Sequence, residues 1–309
     1  MTLLPERSFA LEIAYDGTDF VGWQIQPGQR SVQGTIQDWL CRILDQKITL
    51  TGAGRTDTGV HAEGSLCSFP ARTLVTRERL LKSVRRVLPE DVLVYRLHEF
   101  EDQRFSARYS AQAREYRYSL RRGPDPFVRR RAWCVHHELD IGRMREALAA
   151  LSGTRDCRGF CVTRSLPPTA TCEFARAELL ESGQELHLHL RADRFLHSQV
   201  RGITGTLVEI GRGSFPVERM EEILATGRRD LCGPLAPPEG LHLCRVDYAR
   251  FRTGLRPGEV NGASETVLPP CVYWEGTSRS PRQDQYEDRQ NTQFPDGQDL
   301  AHRTERTDP

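Results

Sequence analysis

The sequence predicts an α+β fold with a mixed, mostly antiparallel sheet, and three features of the chain support this prediction. Apolar residues make up 38% of the 309 residues, which is enough to form a core. Segments in which apolar and polar residues alternate, as in half-buried strands, are interleaved with segments of helical periodicity. The intervals between strand segments are hairpin-like, which favours an α+β arrangement.

The first 102 residues contain one clear strand, one clear helix and several shorter elements. Apolar residues alternate from Phe9 to Tyr15 and stop at the Asp16-Gly17 turn. Ser31 is placed to cap a helix whose apolar residues recur at 32, 36, 39, 40, 43 and 44. The other predicted elements are strands at 48–50, 65–69 and 92–97 and a helix at 77–88 that stops before Pro89.

The second half of the chain repeats this style. Alternation over residues 113–120 predicts a strand that carries Arg114, Tyr116 and Tyr118 on one face. Asp140 is placed to cap a further helix. The remaining predicted elements are a strand at 186–190 with its leucines towards the core, helices at 195–211 and 216–224, and a last strand at 241–246.

The predicted body divides into two comparable halves, residues 1–102 and 103–251. Beyond it the chain is rich in Gln, Asp, Arg, Thr and Pro, so we expect 252–309 to be a polar, mostly disordered tail. This tail holds 7 Arg and 10 acidic residues, which leaves 36 basic and 32 acidic residues in the body. Almost all basic residues are Arg, which suits phosphate contacts, although a GC-rich genome explains the excess equally well.

Composition excludes several classes of protein. No apolar run approaches the roughly 18 residues of a membrane span, and the N-terminus lacks the apolar stretch of a secretory signal. The nine cysteines are scattered, as in a reducing compartment. Cys157, Cys161 and Cys172 lie near one another but lack the paired spacing of a zinc site. We therefore expect a cytoplasmic protein with no membrane segment and no bound metal.

One polar loop, Gly54 to Glu63, concentrates the residue types that carry chemistry. Asp57 lies between two glycines, which allow sharp turns and the close approach of a ligand, and Arg55 lies two residues before it. A nearby positive charge favours the ionised form of a carboxylate, and an ionised carboxylate can act as a nucleophile or a base. An Asp in such a loop can also do no more than bond the turn backbone.

The segment from Gly54 to Ala62 resembles the signature loop of the TruA-type tRNA pseudouridine synthases, with Thr58 where that family most often has Ala. The other motifs of the family follow in order, from about Phe9 to Tyr248. They are Tyr15 to Gln24, Ser31 to Gly34, Arg104 to Ala107, Arg114 to Tyr118, Phe195 to Arg201, Gly205 to Leu207 and Ala236 to Leu241. Each segment is weak evidence alone, but the ordered set is strong.

This resemblance implies two similar α/β halves that share one sheet with a central cleft, and it implies a homodimer. It implies an isomerase that converts uridine to pseudouridine in the anticodon arm of tRNA, at the positions conventionally numbered 38, 39 and 40. The reaction oxidises nothing and imports no group, so we expect no cofactor. The resemblance makes Asp57 the nucleophile, which attacks either C6 of the uracil or C1′ of the ribose.

The resemblance also gives roles to other side chains. Arg201 would keep Asp57 ionised and correctly oriented; the alternative is that Arg201 is a phosphate contact on its helix. Tyr116 would stack on the uracil and take part in deprotonation; the alternative is that Tyr116 is an ordinary aromatic residue of a strand. Because a duplex hides the reacting edges, the target nucleotide must flip out, at a cost on the order of 2–4 kcal/mol. The candidates for substrate contacts are Tyr116, Arg55, Thr56, Arg104 and Arg114, with the run Arg129 to Arg131 as a further basic cluster.

Two other functions compete with this one. Asp57-Thr58-Gly59 is the tripeptide of aspartic proteases, but that chemistry needs two carboxylates and the chain has no second Asp-Thr/Ser-Gly. The more serious alternative is a non-catalytic RNA-binding protein on the same fold. The presence of Asp57, Tyr116 and Arg201 together argues against it.

Overall fold

The computed structural model describes residues 4–102, 104–162 and 165–254. The strands in this part of the chain are β1 (Glu6–Tyr15), β2 (Thr51–Gly52), β3 (His61–Arg72), β4 (Val92–Phe100), β5 (Ala111–Arg122), β6 (Trp133–Val135), β7 (Gly153–Asp156), β8 (Thr171–Ser182), β9 (Glu185–Ala192) and β10 (Leu241–Tyr248). The α-helices are α1 (Val32–Leu44), α2 (Arg77–Val87), α3 (Ile141–Leu148), α4 (Gln199–Gly211) and α5 (Arg219–Thr226).

All of these strands belong to one mixed sheet. Its order is β4-β1-β3-β10-β5-β9-β8-β7, with β2 paired to β3 and β6 paired to β5. The β3–β10 and β5–β6 pairs are parallel, and the others are antiparallel. The predicted α+β class with a mostly antiparallel mixed sheet is therefore confirmed. The two similar halves and the central cleft remain predictions.

The parallel β3–β10 pair joins the strands of the first 102 residues to those that follow. Its register sets His61 opposite His242 and Ala62 opposite Leu243. Because β3 begins directly after the polar loop of Asp57, this pairing brings the loop to the start of β10 in the middle of the sheet.

Alternation along β5 separates the two faces of the sheet as the sequence predicts. Tyr116 and Tyr118 lie opposite Leu190 and Leu188 on the apolar face, and both tyrosines are buried. Arg117 lies between them on the opposite face of the strand. Tyr116 is therefore fixed on the apolar side of the sheet, and helix α4 contacts its strand, β5.

The predicted helix caps are confirmed. The Ser31 side chain accepts a hydrogen bond from the Gly34 N–H at 3.2 Å, and that of Asp140 accepts one from the Arg143 N–H at 3.0 Å. Helix α2 ends at Val87, just before Pro89, whose ring cannot continue a helix.

Several predicted elements differ from the structure. The helix expected at 195–211 begins only at Gln199, because residues 196–199 form a turn closed by the hydrogen bond from the Gln199 N–H to the Leu196 carbonyl. The strand expected at 48–50 is displaced to Thr51–Gly52, where it pairs with β3, and the helix expected at 216–224 is Arg219–Thr226. Strands β6, β7 and β8 have no counterpart in the prediction. Of these, β8 does alternate in sequence, so its omission was an error of interpretation.

The folded body extends three residues beyond the predicted start of the tail at 252. Thr253 is fully buried, and its hydroxyl accepts a hydrogen bond from the Val246 N–H at 2.8 Å. The Gly254 N–H donates to Oε1 of the buried Glu12 at 3.0 Å. These contacts assign 252–254 to the body, and the predicted tail from 255 to 309 lies outside the described residues.

Candidate active site

Residues 54–60, which we term the Asp57 loop, rest on the backbone of the first sequence motif. Gly22 has φ of 95°, and a Cβ there would lie 2.6 Å from the Thr56 carbonyl oxygen. A Cβ on Gly17 would lie 2.0 Å from the Val60 carbonyl oxygen. The Trp23 N–H donates to the Thr56 carbonyl at 3.0 Å. Only glycine allows two backbones to approach this closely, which explains why the two motifs occur together.

Side chains and a second backbone contact complete the support of this loop. The hydroxyls of Tyr15 and Thr56 lie 2.8 Å apart and are both buried. Gly59, with φ of 79°, donates its N–H to the Phe20 carbonyl at 3.3 Å. A Cβ on Gly59 would lie 3.1 Å from Pro238, in the closing motif. Thr56, predicted as a substrate contact, therefore has its hydroxyl committed to holding the loop.

The carboxylate of Asp57 meets three side chains from one short stretch of the chain. Its Oδ2 accepts hydrogen bonds from the Ser198 hydroxyl at 2.7 Å and from Nη1 of Arg201 at 2.8 Å. Its Oδ1 lies 3.4 Å from Nε2 of His197. The Asp57 side chain is 22% exposed, so the carboxylate is held firmly yet open to a ligand. The predicted pairing of Asp57 with Arg201 is present, whereas His197 and Ser198 were not predicted.

Arg201 holds both the carboxylate and a second segment of backbone. Its Nε donates to the Ala236 carbonyl at 2.8 Å, and the Ala236 N–H donates back to the Arg201 carbonyl at 3.1 Å. The planar guanidinium fixes the direction of both bonds at once, which a lysine ammonium on a flexible stem would not do. Arg201 thus ties Asp57 to the closing motif of the chain.

The turn at 196–199, which we term the Ser198 turn, precedes helix α4. Ser198 has φ of 56°, one of two positive values among the described non-glycine residues. The buried Gln199 accepts a hydrogen bond from the Leu196 N–H through its Oε1 at 2.7 Å. The Ser198 hydroxyl makes no capping bond to its own helix and reaches Asp57 instead. Because Ser198 falls inside the helix predicted at 195–211, no sequence signal marked its contact with Asp57.

Tyr116 lies beside the Asp57 loop. A Cβ on Gly54 would lie 3.6 Å from the Tyr116 hydroxyl, and the ring packs edge-on against Phe195 with centroids 5.0 Å apart. Burial, with a smaller contribution from the charge of Asp57, raises the pKa of Tyr116 to about 12. The phenol is therefore neutral near pH 7.

The three predicted arginine contacts fall into two groups. Arg55 and Arg104 have exposed side chains, and Nε of Arg104 lies 3.1 Å from Oδ1 of Asp102. Arg114 is instead half-buried, and its guanidinium donates to the carbonyls of Ala53, Ala111, Arg108 and Asp193. Burial lowers the pKa of Arg114. These contacts give Arg114 a place in holding the base of the Asp57 loop, and its contact with substrate remains a prediction.

The described part of the chain offers neither a cluster of metal ligands nor a membrane-spanning helix. Within 4–102, 104–162 and 165–254, no group of three or more His, Cys, Asp or Glu side chains is placed to hold a metal ion. No helix in the same ranges is long and apolar enough to cross a membrane.

The mixed sheet and the Asp57–Arg201 pair define an α+β protein with a carboxylate-centred candidate active site. The sequence model of the tRNA pseudouridine synthase family matches residues 147–249. The chain is 36% identical to tRNA pseudouridine synthase A of an Exiguobacterium strain, over 79% of this chain and 99% of the relative. It is 40% identical to that of Geobacillus kaustophilus, over 76% and 92%. The chain therefore belongs to the tRNA pseudouridine synthase A family and is an isomerase.

Solved structures give a weaker comparison. The archaeal box H/ACA sRNP Nop10-Cbf5 complex is similar over 74% of this chain and 58% of that chain, with 11% identity and a TM-score of 0.29. That score is too low to define a shared fold. The family membership rests on the sequence relatives.

Proposed function

We propose that this protein isomerises uridine to pseudouridine in the anticodon arm of tRNA, at the positions conventionally numbered 38, 39 and 40. Asp57 is the proposed nucleophile, acting on a nucleotide that has flipped out of the helix. The observation that carries the proposal is the Asp57 carboxylate, bonded by Arg201 at 2.8 Å and still 22% exposed. The names of the sequence relatives support tRNA as the substrate.

The reaction exchanges one bond to the ribose for another. The C1′–N1 bond breaks, a C1′–C5 bond forms, the C5 proton is lost and N1 gains a proton, so product and substrate have the same composition. Asp57 adds either to C1′ or to C6 and leaves when the new bond has formed. The Arg201 guanidinium donates a hydrogen bond to this carboxylate at 2.8 Å and fixes it in place for the attack.

Tyr116 is the proposed platform for the uracil ring. Stacking of a base on an aromatic side chain contributes about 1–3 kcal/mol, which offsets the cost of unstacking the nucleotide. Because the pKa of Tyr116 is about 12, its hydroxyl can take the C5 proton only as it passes its own proton to water, which returns a proton to N1. We therefore assign it a relay in deprotonation rather than the part of a preformed phenolate base.

Exposed arginines are the proposed contacts to the RNA backbone. Arg55 lies next to Asp57 in sequence, and Arg104 lies on the second motif. The run Arg129 to Arg131 is exposed as well. Guanidinium groups bind phosphate in bidentate fashion, and folded RNA is recognised mainly by shape and backbone. Such recognition would allow several neighbouring uridines to reach one active site.

The wider organisation of the protein is part of the same proposal. We infer two similar halves, 1–102 and 103–251, with the active cleft between them, and a homodimer that works in the cytoplasm without a cofactor. The sheet order supports the two halves, because the strands of the first 102 residues form one end of it.

Tritium release tests the reaction itself. Wild-type protein is incubated with tRNA transcript carrying [5-³H]uridine, beside transcripts with cytidine at 38, 39 and 40 in turn. We expect release from the unaltered transcript and a stepwise loss as the target uridines are removed. Tight binding of the same transcript without release would contradict the proposal and favour the non-catalytic RNA-binding alternative.

A further inference from the structure

The two oxygens of Asp57 have different surroundings. Oδ2 accepts hydrogen bonds from the Ser198 hydroxyl at 2.7 Å and from Arg201 at 2.8 Å. Among the described residues, the one recorded side-chain contact of Oδ1 is with His197 at 3.4 Å. A carboxylate oxygen has about two lone-pair sites. Both sites of Oδ2 are occupied, whereas Oδ1 has only this longer contact and keeps one site open to an incoming atom.

Ser198 reaches Asp57 at the expense of ordinary backbone geometry. Its φ of 56° lies in the left-handed region, which costs a non-glycine residue free energy. At three other helix starts, Ser31, Thr76 and Asp140 use their side chains to accept a bond from their own helix. The Ser198 hydroxyl makes no such bond and donates to Oδ2 of Asp57. The strained conformation therefore directs the hydroxyl to the carboxylate.

The packing around the Ser198 turn keeps it in this conformation. Gln199 is fully buried, and its Oε1 accepts the Leu196 N–H at 2.7 Å. The Ser198 carbonyl accepts the Gly202 N–H at 3.0 Å, in the first turn of α4. A turn held from both sides gives Asp57 a partner of fixed direction, which is what precise aim of a reacting atom requires.

We propose that Ser198 is a positioning residue. Together with Arg201 it holds Oδ2 of Asp57 in place by hydrogen bonds, which leaves Oδ1 as the attacking oxygen. This inference rests on the proposed function. If attack is at C1′, the Oδ1–C1′ bond forms as the C1′–N1 electron pair leaves with the uracil. If attack is at C6, the Oδ1–C6 bond forms as the C5–C6 π pair moves into the C4 carbonyl system. Ser198 keeps its proton in either case.

Two substitutions separate the hydroxyl from the strained backbone. Ser198→Ala removes the hydroxyl and keeps the strain, while Ser198→Gly removes both and suits a positive φ. Ser214→Ala, beyond the other end of α4 and exposed, is the matched control. Single-turnover tritium release at saturating enzyme reports the chemistry, tRNA affinity is measured separately by filter binding, and thermal melting checks the fold.

We expect both Ser198 variants to lose about 10- to 100-fold in single-turnover rate, the effect of one hydrogen bond to a charged group. Their tRNA affinity should stay within about threefold of wild type, and Ser214→Ala should match wild type throughout. A rate within threefold of wild type for Ser198→Ala would overturn the inference, as would an equal loss of affinity and rate. An inactive wild type would overturn the proposed function itself, whereas an active wild type with unaffected variants overturns only the role of Ser198.

Discussion

The Asp57 loop and the Ser198 turn build one site by different means. The loop is held by backbone, with Gly17 and Gly22 so close to it that no side chain fits between. The turn is held by side chains, with Gln199 bonding the backbone of Leu196 and Ser198 bonding Asp57. Backbone contacts of the first kind leave a glycine signature in the sequence, whereas contacts of the second kind do not.

This difference leads us to expect different responses to substitution. Substitutions that disturb the loop should displace the whole Asp57 carboxylate. Substitutions in the turn should leave the carboxylate in place but make the orientation of its oxygens less precise. A misplacement of about 1 Å can cost on the order of 10²-fold in rate, whereas one hydrogen bond to a charged group costs about 1.5–3 kcal/mol.

The largest effect is expected for Gly22→Ala. Its Cβ would lie 2.6 Å from the Thr56 carbonyl, so the loop must move and the rate should fall at least about 100-fold. Gly28→Ala is the control, because Gly28 has φ of 70° but has no atom within 4 Å of the added Cβ. That control should lose about 1–2 kcal/mol of stability and none of its activity. Equal activity of the two variants in tritium release would show that the loop does not depend on this contact.

Arg201→Lys comes next. Lysine keeps the charge but cannot bond Asp57 and the Ala236 carbonyl together as the guanidinium does. We expect the single-turnover rate to fall about 10- to 100-fold, while Arg212→Lys, at the exposed end of the same helix, stays at the wild-type rate. A wild-type rate for Arg201→Lys would mean that charge alone, without geometry, supports Asp57.

Acid should destabilise the contacts around His61, which help to hold the Asp57 loop. Burial, and then the neighbouring His242, lowers the pKa of His61 to about 4. The unfolded chain therefore binds a proton at His61 more readily than the folded chain does. The contribution of His61 to the unfolding free energy is complete above about pH 6.5 and is lost as the pH falls towards 4. The unfolding free energy from urea titration should drop by about 2–3 kcal/mol between pH 7 and 4 from this group.

His61→Asn is the control for that pH dependence. The Gly17 N–H donates to Nδ1 of His61 at 3.1 Å, and an asparagine oxygen can accept the same bond without titrating. Its stability should vary less between pH 6.5 and 4. A loss below pH 4.5 should remain, because contacts with His242 and Arg117 lower the pKa of Glu63 to about 2. An unchanged pH profile in His61→Asn would remove His61 from this account.

The smallest effect is expected for His197→Ala. Its Nε2 lies 3.4 Å from Oδ1 of Asp57, and its side chain is 40% exposed. A contact of 3.4 Å made by an exposed ring is weak, so the rate should change by less than about fivefold. A loss of 100-fold in single-turnover rate would mean that His197 takes part in the chemistry and would contradict the assignment of Oδ1 as an oxygen left open for attack.

The sequence predicts the Asp57 loop far better than it predicts the Ser198 turn. Glycines placed Asp57 in a loop and alternation placed Tyr116 on a strand, while the role of each in the site came from the family resemblance. The pairing of Asp57 with Arg201 came from the family resemblance, since 144 positions separate them. Ser198 was missed because helical periodicity from Phe195 onward hides a turn that only a positive φ reveals. The carbonyl contacts of Arg114 were hidden too, since a sequence cannot show which arginines are turned inward.

The most direct test of the central claim is single-turnover tritium release by Asp57→Asn. Asparagine has nearly the same shape and can still accept the bonds from Ser198 and Arg201, but it has no charge and is a poor nucleophile. With [5-³H]uridine tRNA at saturating enzyme, we predict no release above background, and tRNA affinity within about threefold of wild type. Release at a rate near that of wild type would contradict the account, because the chemistry would then not depend on the Asp57 carboxylate.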